Sequence, residues 1–270
     1  MRQALPQVPA HAGFLRSLAL QRRVIGALLM REVITRFGRH NLGVFWLIGE
    51  PMLFTLGVTA LWTAAGLGRA SDIPIVAFAI TGYSSVLMWR NGVSRCCSAL
   101  QQNQNLLYHR NVQAIDVFLT RILLEISGAT ASFIVLAALF TAMEMITPPV
   151  DLLRVVSGWV MLAWFAASLA LTVGALTCYS RLVERLWQPT SYILFPLSGA
   201  AFMVDWLPPL GQKVVLLLPM VHGVEMVREG YFGNTVRSHY DVGYLAVCCL
   251  VLTLAGLFLT REAARRIESE

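Results

Sequence analysis

The sequence predicts an all-α, polytopic membrane protein with six transmembrane helices, and three observations lead to this prediction. Of its 270 residues, 57% are hydrophobic and 13% are charged, whereas a soluble domain carries about twice that charged fraction. The mean hydropathy is +0.64. Apolar runs close to the length that crosses about 30 Å of hydrocarbon recur between the sparse charges. Together these observations exclude an ordinary soluble domain.

Six apolar runs mark the predicted spans. They cover residues 42–67, 73–89, 122–143, 155–180, 186–204 and 242–260. The second run is short, with 17 residues, and the fifth contains Pro189 and Pro196. We therefore expect neighbouring residues to extend these two spans, or the prolines to kink the fifth.

The distribution of basic residues predicts the orientation, because positive residues concentrate in short cytoplasmic connections. Five of the 21 lysines and arginines fall on one side of the predicted spans: Arg69, Arg154, Lys213, Arg228 and Arg237. The other sixteen are all arginines and fall on the opposite side, which we assign to the cytoplasm. Both chain ends are predicted to lie on that side.

Two segments outside the spans are predicted to be helical. Residues 18–37 alternate arginines with short apolar clusters, which is typical of a helix in the cytoplasmic membrane interface. Residues 214–221 are apolar but too short to cross, and a crossing there would place the arginine-rich C-terminus outside. We therefore expect a re-entrant or surface-lying hairpin on the outer face, with its backbone buried in protein.

A single transmembrane domain is expected to cover residues 1–270. It divides into a cytoplasmic and interfacial segment (1–41), five spans (42–204), the outer hairpin (205–241), the sixth span (242–260) and a cytoplasmic tail (261–270). The first 40 residues lack an apolar segment followed by a cleavage site, so we expect no cleavable signal peptide. Because the basic residues flank apolar runs, membrane lipids rather than nucleic acid are the expected partners.

Catalytic motifs are missing from the sequence. There is no G-x-x-x-x-G-K-[ST] motif and the only lysine, Lys213, is assigned to the outer side, so the chain is not expected to hydrolyse nucleotide by itself. His222 and Glu225 have a spacing that suits a metal, but further ligands are too few. We expect Glu225 to pair with Arg228 on a partly hydrated helix. The five cysteines are expected to be buried apolar residues. No catalytic residue, metal site or cofactor in this chain is predicted.

Three acidic residues lie in or beside the apolar runs: Glu50, Glu125 and Asp205. Glu50 and Glu125 are expected to be buried near the cytoplasmic ends of their spans and paired with an arginine such as Arg121. A proton relay in an ion-coupled carrier is the alternative. The lack of a second acidic or basic group at matched depth weakens that alternative.

Aromatic residues are spread over the first, second and fifth spans. Most are expected to lie in the headgroup belts or to pack against other helices. Aromatic faces also stack on sugar rings, so a subset that lines a pore would suit a glycan, and the sequence leaves both interpretations open. The candidates for a channel lining are Trp46, Phe54, Tyr83, Tyr192, Phe195 and Phe202, together with Glu50.

Two segments resemble a known family. Residues 31–51 (REVITRFGRHNLGVFWLIGEP) join a basic T-R-F-G-R to L-G-x-x-W-x-x-x-E-P at the head of the first span. Residues 218–233 (LPMVHGVEMVREGYFG) form the second motif, although the family often has Asn where Leu218 stands. The sequence thus resembles the permease subunit of ABC-2 type polysaccharide exporters, most closely the KpsM-like capsule exporters, over nearly the whole chain.

The resemblance implies a permease in a bacterial inner membrane that moves a lipid-linked, acidic capsular polysaccharide from the cytoplasm towards the periplasm. It implies a homodimer with a channel between the two copies, and two copies of a separate cytoplasmic subunit that binds ATP and Mg. A periplasmic co-polymerase and outer-membrane export proteins would be further partners. Permeases of O-antigen, teichoic acid or other ABC-2 exporters are close alternatives, and an ion-coupled carrier or a membrane-bound lipid enzyme belongs to a different class.

The resemblance also implies roles for particular residues. The segment 101–111 looks like a coupling helix that docks on the ATP-binding subunit. Its expected contact residues are Tyr108, His109 and Arg110. A second, smaller contact would involve Arg181, Glu184 and Arg185. The outer hairpin would form periplasmic gate helices, with His222, Glu225 and Arg228 as the gate residues.

Basic residues around the cytoplasmic mouth of the first span have two possible roles. They would bind the phosphate or carboxylate groups of the lipid linker through charge-assisted contacts. Alternatively, they only fix the topology and bind lipid headgroups. These residues are Arg22, Arg23, Arg31, Arg36, Arg39 and His40.

Overall fold

The computed structural model describes residues 14–37, 43–66, 73–104 and 112–269, and within these ranges the chain forms helices without strands. The helices are α1 (Phe14–Phe37), α2 (Gly43–Ala64), α3 (Ile75–Cys97), α4 (Ala99–Gln102), α5 (Ala114–Ala142), α6 (Leu152–Thr177), α7 (Arg181–Leu197), α8 (Pro209–Val215), α9 (Pro219–Phe232) and α10 (Val242–Ser269). Two 3-10 turns, Val204–Trp206 and Gly233–Thr235, flank the α8–α9 segment. The all-α prediction is confirmed.

Helix α6 lies at the centre of the bundle and packs against α3, α5, α7, α9 and α10. Glycines allow its neighbours to approach closely. A Cβ atom on Gly174 would lie 2.8 Å from the Phe118 ring of α5 and 2.9 Å from Cβ of Cys96 in α3. A Cβ atom on Gly158 would lie 2.9 Å from the backbone nitrogen of Val227 in α9. Small residues at helix contacts are typical of membrane bundles.

Among the described residues, four helices are long and apolar enough to cross a membrane. They are the stretches Phe45–Ala64 of α2, Ala114–Ala142 of α5, Leu152–Thr177 of α6 and Val242–Arg265 of α10. Four of the six predicted spans therefore coincide with such helices. Helices α8 and α9 meet the same criteria only as a pair, and that pair is bent by 107°.

Helices α3 and α7 occupy the positions of the other two predicted spans, but with different bounds. Helix α3 continues from Trp89 to Cys97 through a polar stretch that contains Arg90 and Arg95, which lowers its mean hydropathy. Helix α7 has 17 residues, or about 26 Å at 1.5 Å per residue. It begins with polar residues and stays helical through both prolines.

The fifth predicted span ends earlier than expected, at Leu197 instead of residue 204. The Ser198 hydroxyl donates to the Phe195 carbonyl at 2.6 Å, and Gly199 adopts a left-handed backbone conformation with φ of 82°. This conformation favours glycine and ends helices. The chain after α7 is therefore irregular backbone inside the protein, and its carbonyl groups need donors.

The predicted helix before the first span is present as α1, which begins at Phe14 rather than at residue 18. It packs against α5 and α2. The Gln21 amide donates to Oδ1 of Asp116 at 3.1 Å, and Glu32 pairs with Arg121 at 3.2 Å. Asp116 and Arg121 lie in the first turns of α5, so these contacts fix α1 to that end of the bundle.

The segment predicted to form the outer hairpin contains α8 and α9, which are bent against each other by 107°. Helix α9 is buried along most of its length and contacts α6, α3 and α10. Its backbone is thus covered by protein, as a re-entrant segment requires. Gly230 shows how close this packing is, because a Cβ atom there would lie 2.6 Å from the backbone nitrogen of Val155.

We predict that Gly230→Ala destabilises the protein, since the added methyl group would collide with the α6 backbone, and overpacking costs about 1–3 kcal/mol. Gly26→Ala in α1 is the matched control, because nothing lies within 4 Å of a Cβ atom there. Thermal unfolding in detergent should show a lower melting temperature for Gly230→Ala and an unchanged or slightly higher one for Gly26→Ala. Equal melting temperatures would contradict the close contact between α9 and α6.

Candidate functional site

The basic residues on α1 lie on an exposed surface. Arg22, Arg23 and Arg31 are exposed, and Nη1 of Arg31 donates to Oδ1 of Asn103 at 2.8 Å. Arg36 belongs to α1, but its side chain lies outside the described part of the chain, as do all atoms of Arg39 and His40. The structure therefore places four of the six predicted linker-binding residues on α1 and describes the side chains of three of them.

A buried arginine joins α1 to α3, α4 and α5. The Arg121 side chain is 5% exposed and contacts Oε1 of Glu32 at 3.2 Å. Its guanidinium also donates to the Arg95 carbonyl at 2.6 Å and to Oε1 of Gln102 at 2.7 Å. Sequence analysis did not identify Glu32 as a partner, because the contact depends on how α1 folds back onto α5.

Arg95 of α3 lies beside both acids that were considered for a proton relay. Its guanidinium is 3.5 Å from Oε1 of Glu50 and 3.8 Å from Oε1 of Glu125. Glu125 is buried as expected, but the Glu50 side chain is 47% exposed, so its predicted burial is wrong for the single chain. The crevice between them has a volume of about 10 Å³, which holds one water at most.

Three of the predicted channel-lining aromatics lie together. The Tyr83 ring is 6.0 Å from Phe54 and 5.3 Å from Phe195, measured between centroids. These residues come from α3, α2 and α7, and Trp62 of α2 contacts Tyr83 edge-on at 5.3 Å. The structure thus forms an aromatic cluster from three helices that are distant in sequence.

The remaining aromatic candidates are outside this cluster, although Arg90, 6.0 Å from the Phe195 ring, links Tyr192 to it. Tyr192 is 63% exposed and carries the Arg90 guanidinium 4.5 Å above its ring. Trp46 is 56% exposed on α2. Phe202 follows α7 and packs against the small apolar cluster of the hairpin formed by Val204, Val215 and Val221.

The predicted coupling residues are only partly described. Tyr108, His109 and Arg110 lie outside the described residues. Arg181, Glu184 and Arg185 lie in the first turns of α7, and the two arginines are exposed. The indole of Trp187 donates to Ser94 at 3.0 Å, which places this end of α7 next to the end of α3 that carries Arg95.

The predicted gate residues on α9 form the polar core of the hairpin. Arg228 is fully buried, and its guanidinium donates to the carbonyl oxygens of Gly199, Ala200 and Phe202. It also lies 3.7 Å from the centroid of the Phe78 ring in α3. One side chain therefore supplies donors to the irregular backbone after α7 and packs on α3.

Glu225 is also fully buried and binds backbone groups from two other segments. Its carboxylate accepts from the amides of Val204 at 3.2 Å and His239 at 3.0 Å. The expected Glu225–Arg228 ion pair on a partly hydrated helix is wrong, because both side chains are buried and no ion pair joins them. Spacing along a helix does not reveal partners that come from other segments.

His222 joins the two ends of the hairpin. Its Nδ1 atom accepts from the backbone amide of Asp241 at 2.8 Å, so Nδ1 carries no proton. Nε2 then carries the proton and donates to the Leu216 carbonyl at 2.8 Å. His222 is therefore a neutral connector between the end of α8 and the start of α10, and no group of three potential ligands for a metal occurs among the described residues.

Some predicted environments differ in the structure. The Asp205 side chain, beside the fifth apolar run, is 40% exposed and pairs with Nε2 of His239 at 3.0 Å. All five cysteines are free. Cys178 is exposed and Cys248 is half-buried, whereas the other three are buried as expected.

Ion pairs join α9 to the start of α6. Arg154 pairs with Glu229 of α9 and, at 3.7 Å, with Asp151. Burial, followed by a hydrogen bond that involves the Glu229 carboxylate, raises the pKa of the Tyr240 phenol above its ordinary value. Tyr240 therefore stays protonated at neutral pH.

We predict that Arg228→Gln destabilises the hairpin strongly, because buried carbonyl groups without donors cost about 1–3 kcal/mol each. Arg228→Lys should be intermediate, since one ammonium group cannot reproduce the planar arrangement of guanidinium donors. Lys213→Gln is the control, because Lys213 is exposed on α8 of the same hairpin. Limited proteolysis within residues 199–241 should show the earliest cleavage for Arg228→Gln, a smaller change for Arg228→Lys and no change for Lys213→Gln. Wild-type protection in Arg228→Gln would exclude the role of Arg228 in holding this backbone.

Comparison with known proteins gives the family. Residues 23–232 match the ABC-2 type transporter family. The chain is 43% identical over 257 residues to the capsule polysaccharide export inner-membrane protein CtrC of Neisseria meningitidis, covering 95% of this chain and 97% of the relative. The chain is 40% identical to the capsule polysaccharide export inner-membrane protein BexB of Haemophilus influenzae, with the same coverage. The chain is 28% identical to the polysialic acid transport protein KpsM of Escherichia coli, covering 94% of this chain and 98% of the relative. The chain therefore belongs to the ABC-2 type transporter family.

Proposed function

We propose that this chain is the inner-membrane permease of an ATP-driven exporter that moves a lipid-linked capsular polysaccharide from the cytoplasm towards the periplasm. The observation that carries the proposal is 43% identity, over 95% of the chain, to a capsule polysaccharide export protein. Similarity over nearly the full length of both proteins includes the hairpin and the helices that surround it. The function is therefore inferred from relatives that are similar over nearly the whole sequence.

The proposed topology has six crossings with both ends in the cytoplasm. Four described helices have the required length and apolarity. Helix α3 is less apolar, but it is buried among other helices along most of its length, so lipid would contact little of its polar surface. Helix α7 is about 26 Å long, and the irregular backbone that follows it is buried in protein. The hairpin α8–α9 is then re-entrant on the outer side.

ATP binding and hydrolysis are assigned to a separate cytoplasmic subunit, present in two copies, which binds the ATP and Mg. The proposed docking surface combines residues 101–111 with the exposed arginines at the start of α7. The start of α7 contacts the end of α3 through Trp187 and Ser94, and α4 follows directly after α3. Arg121 binds Gln102 of α4 and Glu32 of α1. Force at this surface would thus reach α1, α3 and α5 together.

Two copies of the chain are proposed to enclose the channel. Helices α2 and α7 expose apolar and aromatic side chains in the single chain, including Trp46, Leu53, Tyr192 and Ile193. We propose that a second copy covers part of this surface and that lipid covers the rest. The cluster of Phe54, Tyr83 and Phe195 lies between these two helices, so the sugar chain would pass close to it.

The exposed arginines of α1 are proposed to bind the anionic linker of the glycan at the cytoplasmic face. On the periplasmic side, a co-polymerase and outer-membrane export proteins are proposed to receive the glycan. Arg22 and Arg23 are exposed, whereas Arg31, Arg95 and Arg121 bind other protein groups. The ion-coupled alternative receives less support, because Arg95 lies beside both Glu50 and Glu125 and their crevice holds one water at most.

We predict that the purified chain does not hydrolyse ATP by itself and that hydrolysis requires a co-purified subunit with a P-loop. The reason is that the chain lacks the lysine and glycine cradle that binds phosphates. Phosphate release should be measured for the chain alone, for the complex, and for a complex whose P-loop lysine is replaced. Hydrolysis by the chain alone would overturn the proposal, and so would export that continues without the second subunit.

We predict that the double variant Arg22→Gln and Arg23→Gln lowers export of glycan about tenfold, because one lost charge-assisted contact costs about 1.5–3 kcal/mol. Arg265→Gln is the control, since Arg265 is exposed and pairs only with its helical neighbour Glu262. Surface glycan should be measured by immunoblotting, alongside membrane levels of the permease and its partner. Unchanged export by the double variant at normal protein levels would leave Arg22 and Arg23 as topology signals.

A further inference from the structure

A cavity of about 410 Å³ opens between the two 3-10 turns that flank the hairpin. Asp205 and Trp206 of the first turn line one side, and Asn234, Thr235 and Arg237 line the other. The volume falls within the range of about 300–1,000 Å³ that is typical of small-molecule sites. None of these side chains belongs to the internal contacts of Arg228, Glu225 and His222.

One face of the Trp206 ring packs against a buried residue of α3. Its ring stacks on Phe78 with 5.3 Å between centroids and 21° between planes, and the guanidinium of Arg228 lies on Phe78 at 3.7 Å. Phe78 and Arg228 are both buried, whereas Trp206 remains 53% exposed. This stack presents a rigid aromatic surface to the cavity. A preorganised surface loses little conformational entropy when a ligand binds.

The polar groups around Trp206 suit a sugar that carries a negative charge. Asp205 is oriented by its contact with His239 at 3.0 Å and can accept from hydroxyl groups. Asn234 is exposed and offers both a donor and an acceptor. Arg237 is exposed, and the described part of the chain holds no carboxylate within ion-pair distance of it. A guanidinium group binds carboxylates through two parallel hydrogen bonds.

The cavity lies at the opposite end of the bundle from the Arg95 cluster. Ile73, just before α3, lines the cavity, whereas Arg95 lies near the end of α3. The 23 residues of α3 span about 34 Å at 1.5 Å per residue. In the proposed topology, a glycan would therefore meet this cavity as it leaves the channel.

We propose that this cavity is an exit subsite that binds one acidic sugar residue of the exported glycan. Trp206 stacks on the apolar face of the pyranose ring, Arg237 pairs with the carboxylate, and Asp205 and Asn234 bind hydroxyl groups. This inference rests on the proposed export function. A docking loop of an envelope protein is the competing occupant. The concave shape and single exposed aromatic favour a sugar, since stable protein interfaces bury more than about 1,000 Å².

The test uses the permease with its ATP-binding subunit in lipid nanodiscs and a soluble probe. The probe is a trimer of α2,8-linked sialic acid, chosen for its carboxylate on every residue, and maltotriose is the neutral comparison. Saturation-transfer difference NMR should detect ring protons of the acidic trimer with the wild type. Trp206→Ala and Arg237→Gln should each lower that signal about fivefold.

Two kinds of variant keep the test independent of folding. Trp206→Phe retains an aromatic face and should keep most of the signal, and Arg237→Lys should be intermediate. Lys213→Gln, which removes an exposed charge elsewhere on the hairpin, should match the wild type. Absence of signal with the wild type, or equal signals for Trp206→Ala and the wild type, would overturn the subsite.

Export in cells separates this inference from the proposed function. If the wild-type complex neither hydrolyses ATP nor exports glycan, the proposed function fails. If it does both, while the Trp206 and Arg237 variants bind the trimer and export normally, only the subsite fails. A photoreactive amino acid at residue 234 should capture glycan in exporting cells. Capture of an envelope protein without glycan would assign the cavity to protein docking instead.

Discussion

The packing of the hairpin depends on how the protein satisfies backbone groups where α7 ends. Helix α7 stops at Leu197, and the chain turns at Gly199 within the protein. Carbonyl groups buried in such a place are costly unless a donor reaches them. Arg228 reaches the carbonyls of Gly199, Ala200 and Phe202 from α9. Because its guanidinium also lies on Phe78 of α3, the same side chain joins three helices, and the hairpin is held as part of the bundle.

The central position of α6 follows from a second constraint, which is the space available between helices. Gly158 and Gly174 admit α9, α5 and α3 at distances that a Cβ atom would prevent. The helices around α6 therefore bring polar residues to both ends of the bundle in fixed positions. At one end Arg121 pairs with Glu32 and Arg95 pairs with Glu125. At the other end lie the buried polar side chains of α9. Between them α3 is almost entirely buried.

The sequence was sufficient for features that depend on local composition. Apolar runs located four long helices, the arginine-rich segment forms α1, and the apolar run 214–221 lies at the bend between α8 and α9. Sequence reasoning failed where a side chain acts on a distant segment. Arg228 binds carbonyls 26 to 29 positions away, so its proximity to Glu225 along the helix suggested the wrong partner. Glu50 was predicted to be buried because it lies in an apolar run, but its side chain is 47% exposed in the single chain.

Buried and exposed polar groups have different functions in this structure. Arg228, Glu225 and His222 bind backbone groups, so substitution there would disturb folding before it affected a ligand. A transported anion needs cations that remain hydrated and without carboxylate partners. Exposed cations without a described carboxylate partner include Arg22 and Arg23 on α1, Arg181 and Arg185 on α7, and Arg237 beside the cavity. The aromatic cluster around Tyr83 lies between the two ends. Under the proposed function, cations at both faces and an aromatic cluster beside Arg90 between them would suit a long acidic glycan.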